Sequence, residues 1–80
     1  MNLEIITPEK KVFAGAADAV TLPGSEGQFQ VLNNHAPLVS TLSRGNVVID
    51  TKGGKQTLVI DGGVVEVLNN KVLVLAEAVL

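Results

Sequence analysis

The sequence predicts an all-β domain folded as a sandwich or barrel. The chain of 80 residues is 46% hydrophobic but only 2% aromatic, so its core must consist of branched aliphatic side chains, which suit strands better than helices. Turn-forming residues recur at short intervals, and apolar side chains alternate between them with a period of two. No stretch long enough for a helix carries an apolar stripe uninterrupted by glycine or proline. We therefore expect a single domain over residues 1–80.

Turn signals divide the chain into short strands. Residues 7–10 read Thr-Pro-Glu-Lys, in which proline fixes its own φ and holds its predecessor extended. Residues 22–25 read Leu-Pro-Gly-Ser, which places Pro and Gly at the central positions of a type II turn. The Gly-Gly pairs at 53–54 and 62–63 and the Asn-Asn pair at 69–70 tolerate the positive φ of tight hairpins. We expect a chain reversal at each of these positions.

The stretches between the turns alternate as strands do. In the first of them, Leu3 and Ile5 share one face while Glu4 takes the other. Residues 72–75 differ, because they are apolar on both faces. Burial of both faces within the sandwich is the favoured interpretation, and an outer face that meets a partner is the alternative. The remaining alternating stretches are 47–50, 58–61 and 65–67.

Composition and charge exclude several classes of function. The chain has no cysteine, which excludes disulfides and thiolate metal sites and favours an intracellular setting. The net charge of −2 comes from scattered residues, and no basic run suggests a nucleic-acid partner. The N-terminus lacks the pattern of a signal peptide, and the apolar stretch 72–76 is too short to cross a bilayer. We expect a soluble protein.

The segment 24–38 holds the only histidine, yet it does not read as a catalytic site. The acidic residue nearest to His35 is Glu26, nine positions before it, and no paired ligand spacing surrounds either one. The glycine-rich start of the segment lacks the Lys and the following helix of a phosphate-binding loop. We expect no catalytic residue, metal ligand or cofactor-binding residue. A small hydrolase remains an alternative if the fold brings together its acidic residues, Asp50, Asp61 and Glu66.

Five motifs follow one another along the chain. The first is a strand with a Thr-Pro-Glu turn, the next two are a Leu-Pro-Gly-Ser-Glu-Gly-x-Phe loop and a His-Ala-Pro-Leu stretch, and the last two are Gly-Gly-x-x-Glu-Val and Val-Leu-Ala-Glu. They occupy residues 3–13, 22–29, 35–38, 62–67 and 74–77. In these motifs the chain resembles the epsilon subunit of the F-type ATP synthase, and the match extends in order over essentially the whole chain.

The resemblance implies a fold and a role. The fold would be a flattened β-sandwich or barrel of about ten short, mostly antiparallel strands in two sheets. The role would be that of a non-catalytic central-stalk subunit, which binds the gamma subunit and the c-ring of a proton- or sodium-driven synthase and couples ion translocation to ATP synthesis. Such a protein needs no cofactor. It would lie on the cytoplasmic side of a bacterial plasma membrane, peripherally, through the complex.

The resemblance also implies two sets of contact residues. The edge that faces the c-ring would consist of Glu26, Gly27, Gln28 and His35. The contact with gamma would consist of Ala36, Pro37 and Leu38, because Pro37 stiffens that stretch at low entropic cost.

Two further expectations concern the length of the chain and the main alternative function. Typical relatives continue beyond the Ala-Glu ending into a C-terminal helical hairpin, and the sequence stops at Leu80, so we expect a short form without that hairpin. The alternative is a free-standing β-sandwich module that binds a small ligand or carbohydrate. Such modules usually present aromatic platforms, and this chain has no Trp or Tyr.

Overall fold

The computed structural model describes all residues from Met1 to Leu80 and is built of seven strands without a helix. The all-β fold class predicted from the sequence is confirmed. None of its elements is a helix of the length and hydropathy that a membrane span requires. The strands are β1 (Asn2–Ile6), β2 (Lys11–Ala16), β3 (Ala19–Gly24), β4 (Gly27–Leu32), β5 (Leu38–Thr51), β6 (Gly54–Leu68) and β7 (Lys71–Ala76).

The strands form one continuous hydrogen-bonded sheet in the order β2-β1-β7-β6-β5-β3-β4. All neighbouring pairs are antiparallel except β1 and β7, which run parallel from Asn2 opposite Lys71 to Ile6 opposite Leu75. The first strand is thereby paired with the last. The strands β2 and β4 form the two edges of the sheet.

The sheet folds over into two layers while β2 and β4 remain its edges, because β5 and β6 are long enough to contribute to both layers. They run for 14 and 15 residues, whereas the other strands have 5 or 6. One end of the β5–β6 ladder continues into β7, β1 and β2, and the other end continues into β3 and β4. Both groups of strands contribute side chains to a single apolar cluster. The strand count is below the expected ten or so because each long strand replaces two short ones.

The predicted hairpin at Gly62-Gly63 is absent, since both glycines lie inside β6. Their φ values are 84° and 147°, so the pair bends the strand without reversing it. A Cβ on Gly63 would lie 2.2 Å from the carbonyl oxygen of Leu75, which shows how closely β7 approaches at this point. The two glycines therefore mark the place where β6 passes from one layer to the other.

The predicted type II turn at residues 22–25 is also displaced. Pro23 and Gly24 are the last residues of β3, opposite Gln28 and Gly27, and the reversal takes place at the two residues that follow. The ladder between β3 and β5 is interrupted between Thr21 and Gly24, so the missing N–H of proline costs no ladder bond there. Gly27, at a φ of 133°, begins the return strand.

Three turns occur where they were predicted. Thr7 closes the first one, as its N–H donates to the Lys10 carbonyl at 2.9 Å and its Oγ1 accepts from the Lys10 N–H at 3.2 Å. Gly54, at a φ of 124°, begins β6 after the second turn. Asn69 and Asn70 have consecutive φ values of 51° and 59°, which are those of a type I′ hairpin.

The core between the two layers is wholly apolar. It contains 15 buried residues, and no polar or charged side chain is buried. Val and Ile dominate it, as the composition predicted, and every strand except the edge strand β2 contributes to it. The members are Leu3, Ile5, Ala17, Val20, Leu22, Val31, Leu42, Val47, Ile49, Ile60, Val65, Val67, Val72, Val74 and Ala76.

Candidate functional site

The turn after β3 and the loop before β5 meet around an open groove of about 310 Å³. The groove brings together four of the seven contact residues predicted from the sequence, which are Glu26, Gly27, His35 and Leu38. The remaining lining residues are Gly24, Phe29 and Ser40. We call this depression the turn groove.

The β3–β4 turn is fixed to β5 by two hydrogen bonds between Ser25 and Thr41. The N–H of Ser25 donates to the Thr41 carbonyl at 3.0 Å, and the Thr41 hydroxyl donates to Ser25 Oγ at 2.8 Å. Glu26 follows Ser25 directly and is exposed. Its carboxylate is therefore presented from a backbone that the rest of the sheet holds in place.

His35 is half-buried and its ring orientation is defined by the residue that follows it. Its Nδ1 lies 2.7 Å from the Ala36 carbonyl oxygen, an atom that only accepts hydrogen bonds. Nδ1 must therefore carry the proton in the neutral ring, and Nε2 is left as an acceptor. The His35 N–H donates to the Leu32 carbonyl at 3.2 Å, which closes a turn immediately after β4.

The loop that carries His35 is also tied to the β6–β7 hairpin. The N–H of Asn34 donates to Oδ1 of Asn70 at 2.8 Å. Asn34 has a φ of 61°, a conformation that asparagine tolerates better than most residues. Sequence reasoning did not find this contact, because it joins two turns that are far apart in the chain.

The other predicted contact residues lie beside the turn groove. Gln28 is exposed on the edge strand β4, and Ala36 is exposed in the loop. Pro37 and Leu38 line a second open depression of about 300 Å³, which continues onto Val39 and Leu68. Leu38 lies between the two depressions, so the two sets of contacts predicted from the sequence form one continuous surface.

Sequence reasoning missed most of a larger apolar surface on the outside of one layer. We call it the outer apolar face and define it by Val39, Val64, Leu68 and Leu75. Val39 is 69% exposed, Leu75 49% and Val64 38%. Val64 lies opposite Leu75 in the ladder, so the face runs across three adjacent strands, β5, β6 and β7.

The exposure of the side chains in β7 tests the favoured interpretation of residues 72–75. Val72 and Val74 are buried in the core, but Leu75 is exposed and Leu73 is only half-buried. Burial of both faces within the sandwich, the favoured interpretation, is therefore wrong for this stretch. The alternative, an outer face that meets a partner, is consistent with the exposure of Leu75, and the contact with a partner stays a prediction.

The acidic residues of the hydrolase alternative are not brought together. Asp50 lies opposite Lys55 near the β5–β6 turn, and Asp61 forms an ion pair with Arg44 at 3.4 Å. Glu66 is exposed on the outer surface of β6, opposite Val39. No group of three or more His, Cys, Asp or Glu side chains is placed to hold a metal ion.

Comparison with solved structures shows which known proteins share this fold. Over 99% of the chain, the fold matches a chain in the central stalk/c-ring structure of the Tetrahymena thermophila mitochondrial ATP synthase, with a TM-score of 0.86, 17% identity and coverage of 64% of that chain. At this identity the match shows the fold alone. A chain in the Euglena gracilis mitochondrial ATP synthase (OSCP/F1/c-ring in rotational state 1) gives a TM-score of 0.90 at 25% identity, over 98% of this chain and 51% of that one.

The sequence identifies the family. The family model described as ATP synthase, Delta/Epsilon chain, beta-sandwich domain matches residues 1–80. The chain therefore belongs to that family, and the resemblance seen in its motifs is confirmed. It is 46% identical over 77 residues to the ATP synthase epsilon chain of Pelotomaculum thermopropionicum, covering 96% of this chain and 58% of that one. It is 47% identical over 77 residues to that of Desulfatibacillum aliphaticivorans, covering 95% and 55%. The chain thus spans little more than half the length of these relatives.

Proposed function

We propose that this chain is a central-stalk subunit of a proton- or sodium-driven F-type ATP synthase, in which it binds gamma and the c-ring. The observation that carries the proposal is the match of the whole chain, residues 1–80, to the delta/epsilon β-sandwich family. In this role the chain is an accessory subunit that couples ion translocation to ATP synthesis and does no chemistry of its own. Residues 1–80 act as one domain.

The contact with gamma is formed by the outer apolar face together with Pro37 and Leu38. The depression lined by Pro37 and Leu38 also includes Val39, Leu68 and the charged Glu66. Val64 and its ladder partner Leu75 extend the outer apolar face beyond this depression. An exposed apolar surface on a small domain is a feature of protein interfaces. The sheet beneath it is rigid, so little conformational entropy is lost when a partner covers it.

The contact with the c-ring is formed by the turn groove and the adjacent edge, with Glu26, Gly27, Gln28 and His35 as the contact residues. This surface presents the polar side chains of Glu26, Gln28 and His35, which lie in the β3–β4 turn, on the edge strand β4 and in the loop before β5, whereas the outer apolar face is built from strands alone. A polar edge suits the polar loops of a membrane ring. The complex would hold the chain peripherally on the cytoplasmic side of a bacterial plasma membrane.

Reconstitution tests the proposal directly. The chain is mixed with the gamma subunit and the detergent-solubilised c-ring of its own organism, and the mixture is analysed by size-exclusion chromatography. We expect the chain to elute with gamma alone, and with gamma and the ring when both are present. Elution of the chain as a separate species from both mixtures would refute the proposal.

A second arm of the experiment separates the two contacts. Leu75→Asp places a charge in the outer apolar face and should abolish elution with gamma. Leu75→Thr, which introduces an uncharged β-branched side chain suited to a strand, serves as the matched control and should weaken it only modestly. If Leu75→Asp still elutes with gamma as the unmodified chain does, gamma does not bind this face.

A further inference from the structure

We propose that the turn groove binds a guanidinium group, supplied by an arginine side chain of a partner protein. The proposal rests on the polar atoms that line the groove. Three of the lining residues, Glu26, His35 and Ser40, are polar, and the side chain of each has an acceptor. A ligand that satisfies all three must be rich in hydrogen-bond donors.

The Glu26 carboxylate is not neutralised within the chain. The ion pairs of the structure join Lys11 and Lys71 to Glu4 and Arg44 to Asp61, and none of them involves Glu26. No Lys or Arg side chain lines the groove. The groove therefore carries a formal negative charge that a cationic ligand would complement.

The other two acceptors result from hydrogen bonds already made. His35 uses Nδ1–H on the Ala36 carbonyl at 2.7 Å, which leaves Nε2 as an acceptor. Ser40 uses its hydroxyl proton on the Thr41 carbonyl at 3.1 Å, which leaves the lone pairs of Oγ. Neither side chain has a donor left to offer a ligand, and both would accept one.

An aromatic ring also lines the groove. Phe29 is half-buried, and it lies so close to the backbone that a Cβ on Gly24 would come within 2.9 Å of its ring carbons. Cations bind favourably over aromatic faces, and arginine does so more often than lysine. A guanidinium is planar and presents five N–H donors, so it can stack on a ring and bond to several acceptors together. A lysine ammonium is a compact point charge and fits this lining less well.

The identity of the protein that supplies the arginine rests on the proposed function, in which this edge faces the c-ring. The proposal that the groove binds a guanidinium does not depend on which protein supplies it. For this reason the test uses the isolated chain and two short peptides that differ in one group, acetyl-Gly-Arg-Gly-amide and its citrulline counterpart. Citrulline has nearly the shape of arginine but no charge.

The experiment is an NMR titration of the ¹⁵N-labelled chain. We expect the arginine peptide to shift the amides of Gly27, Phe29, His35 and Ser40 in a saturable way, with a dissociation constant in the millimolar range, as for a single exposed charged contact. The citrulline peptide should bind about tenfold more weakly or not at all. Equal shifts with both peptides, or shifts spread over other surfaces, would overturn the proposal.

Two substitutions sharpen the test. Glu26→Gln removes the charge of the groove while keeping an acceptor, and we expect it to weaken binding of the arginine peptide about tenfold. Glu9→Gln removes an exposed carboxylate in another turn and should change nothing. Unchanged affinity of Glu26→Gln would overturn the proposal.

The two proposals fail separately. If the arginine peptide does not bind but the chain elutes with gamma and the c-ring, the guanidinium site is wrong and the proposed function stands. If the peptide binds as described but the chain elutes alone, the site stands and the proposed function is wrong.

Discussion

The main-chain N–H of Asn34 donates to the side-chain Oδ1 of Asn70 at 2.8 Å, which ties the loop that carries His35 to the β6–β7 hairpin. The same Asn70 accepts a second bond at its main-chain carbonyl, from the N–H of Asn2 at 3.1 Å. Both asparagines end a copy of the tetrapeptide Val-Leu-Asn-Asn, at 31–34 and 67–70, and both have a left-handed backbone, with φ values of 61° and 59°. Two turns of the same chemistry thus meet at one end of the sandwich.

Replacing Asn70 by glycine should loosen the His35 loop without straining the hairpin, because glycine accepts a positive φ. We expect Asn70→Gly to destabilise the domain by about 1 kcal/mol and to speed hydrogen exchange of the Asn34 amide about tenfold. Asn69→Gly is the matched control, since Asn69 has a φ of 51° and its side chain makes no hydrogen bond. Equal exchange of the Asn34 amide in the two variants would show that the carboxamide of Asn70 does not hold the loop.

A methyl group at Gly63 should be far more damaging than its small size suggests. Its Cβ would lie 2.2 Å from the Leu75 carbonyl oxygen, and the residue has a φ of 147°. We expect Gly63→Ala to lower the free energy of unfolding in urea by about 3 kcal/mol or more. Gly15→Ala, where the new Cβ meets only the Phe13 ring at 3.8 Å, should stay within about 0.5 kcal/mol. Similar losses in both would show that β6 can shift away from β7.

A charge at Ile60 should prevent folding. Ile60 is 0% exposed in the core, and Ile60→Asp would bury a carboxylate without a partner. We expect circular dichroism to show an unfolded chain. Ile60→Val, which removes one methylene, should fold and lose only about 1 kcal/mol. A cooperative melt of Ile60→Asp near that of the unmodified chain would contradict the assignment of Ile60 to the core.

The neighbouring residues Val64 and Val65 provide a test of which face of β6 is available to gamma. Val65 is buried and Val64 is 38% exposed. We expect Val65→Asp to unfold the domain and Val64→Asp to leave it folded, with its affinity for gamma reduced about tenfold or more. Isothermal titration calorimetry measures the second effect. Undiminished affinity of a folded Val64→Asp would place the gamma contact elsewhere.

Removing the imidazole of His35 should affect association and leave stability nearly unchanged. The side chain is half-buried and makes its one hydrogen bond to the adjacent residue, Ala36. His35→Ala should therefore melt within a few degrees of the unmodified chain, about as expected for a surface substitution. Binding to a gamma–c-ring assembly should weaken. A His35 variant that lost more stability than Ile60→Val would show that the ring supports the fold.

The alternation of side chains predicted the core of this protein well, because burial on a sheet follows the period of two directly. Leu3 and Ile5 are buried, as are Val65 and Val67, whereas Glu66 between the last two is exposed. Local residue preferences predicted the path of the backbone less well. Gly62 and Gly63 have the positive φ of a hairpin, yet the backbone continues there as one strand. At Gly63 the close approach of β7 is a second reason for glycine, and the sequence does not reveal it.

The contact surface was less predictable than the core, because it depends on which turns meet in space. The motif from Glu26 to Leu38 predicted part of the turn groove. That Ser40 lines the same groove as Glu26 follows only from the pairing of β5 with β3. The outer apolar face was harder still. An exposed Leu75 and a buried Val74 look alike in sequence when both faces of a strand are apolar.

The parallel pairing of β1 with β7 has a consequence for how the chain is made. Synthesis proceeds from the N-terminus, so residues 2–6 leave the ribosome long before residues 71–75, their partners along one edge. Until the last strand arrives, β1 can pair only with β2, and one row of its main-chain groups stays open to water or to other chains. Pairing of such distant segments is slow because a long loop must close first. The nascent protein thus carries an unpaired strand edge until β7 has been made, and β7 then pairs with that edge.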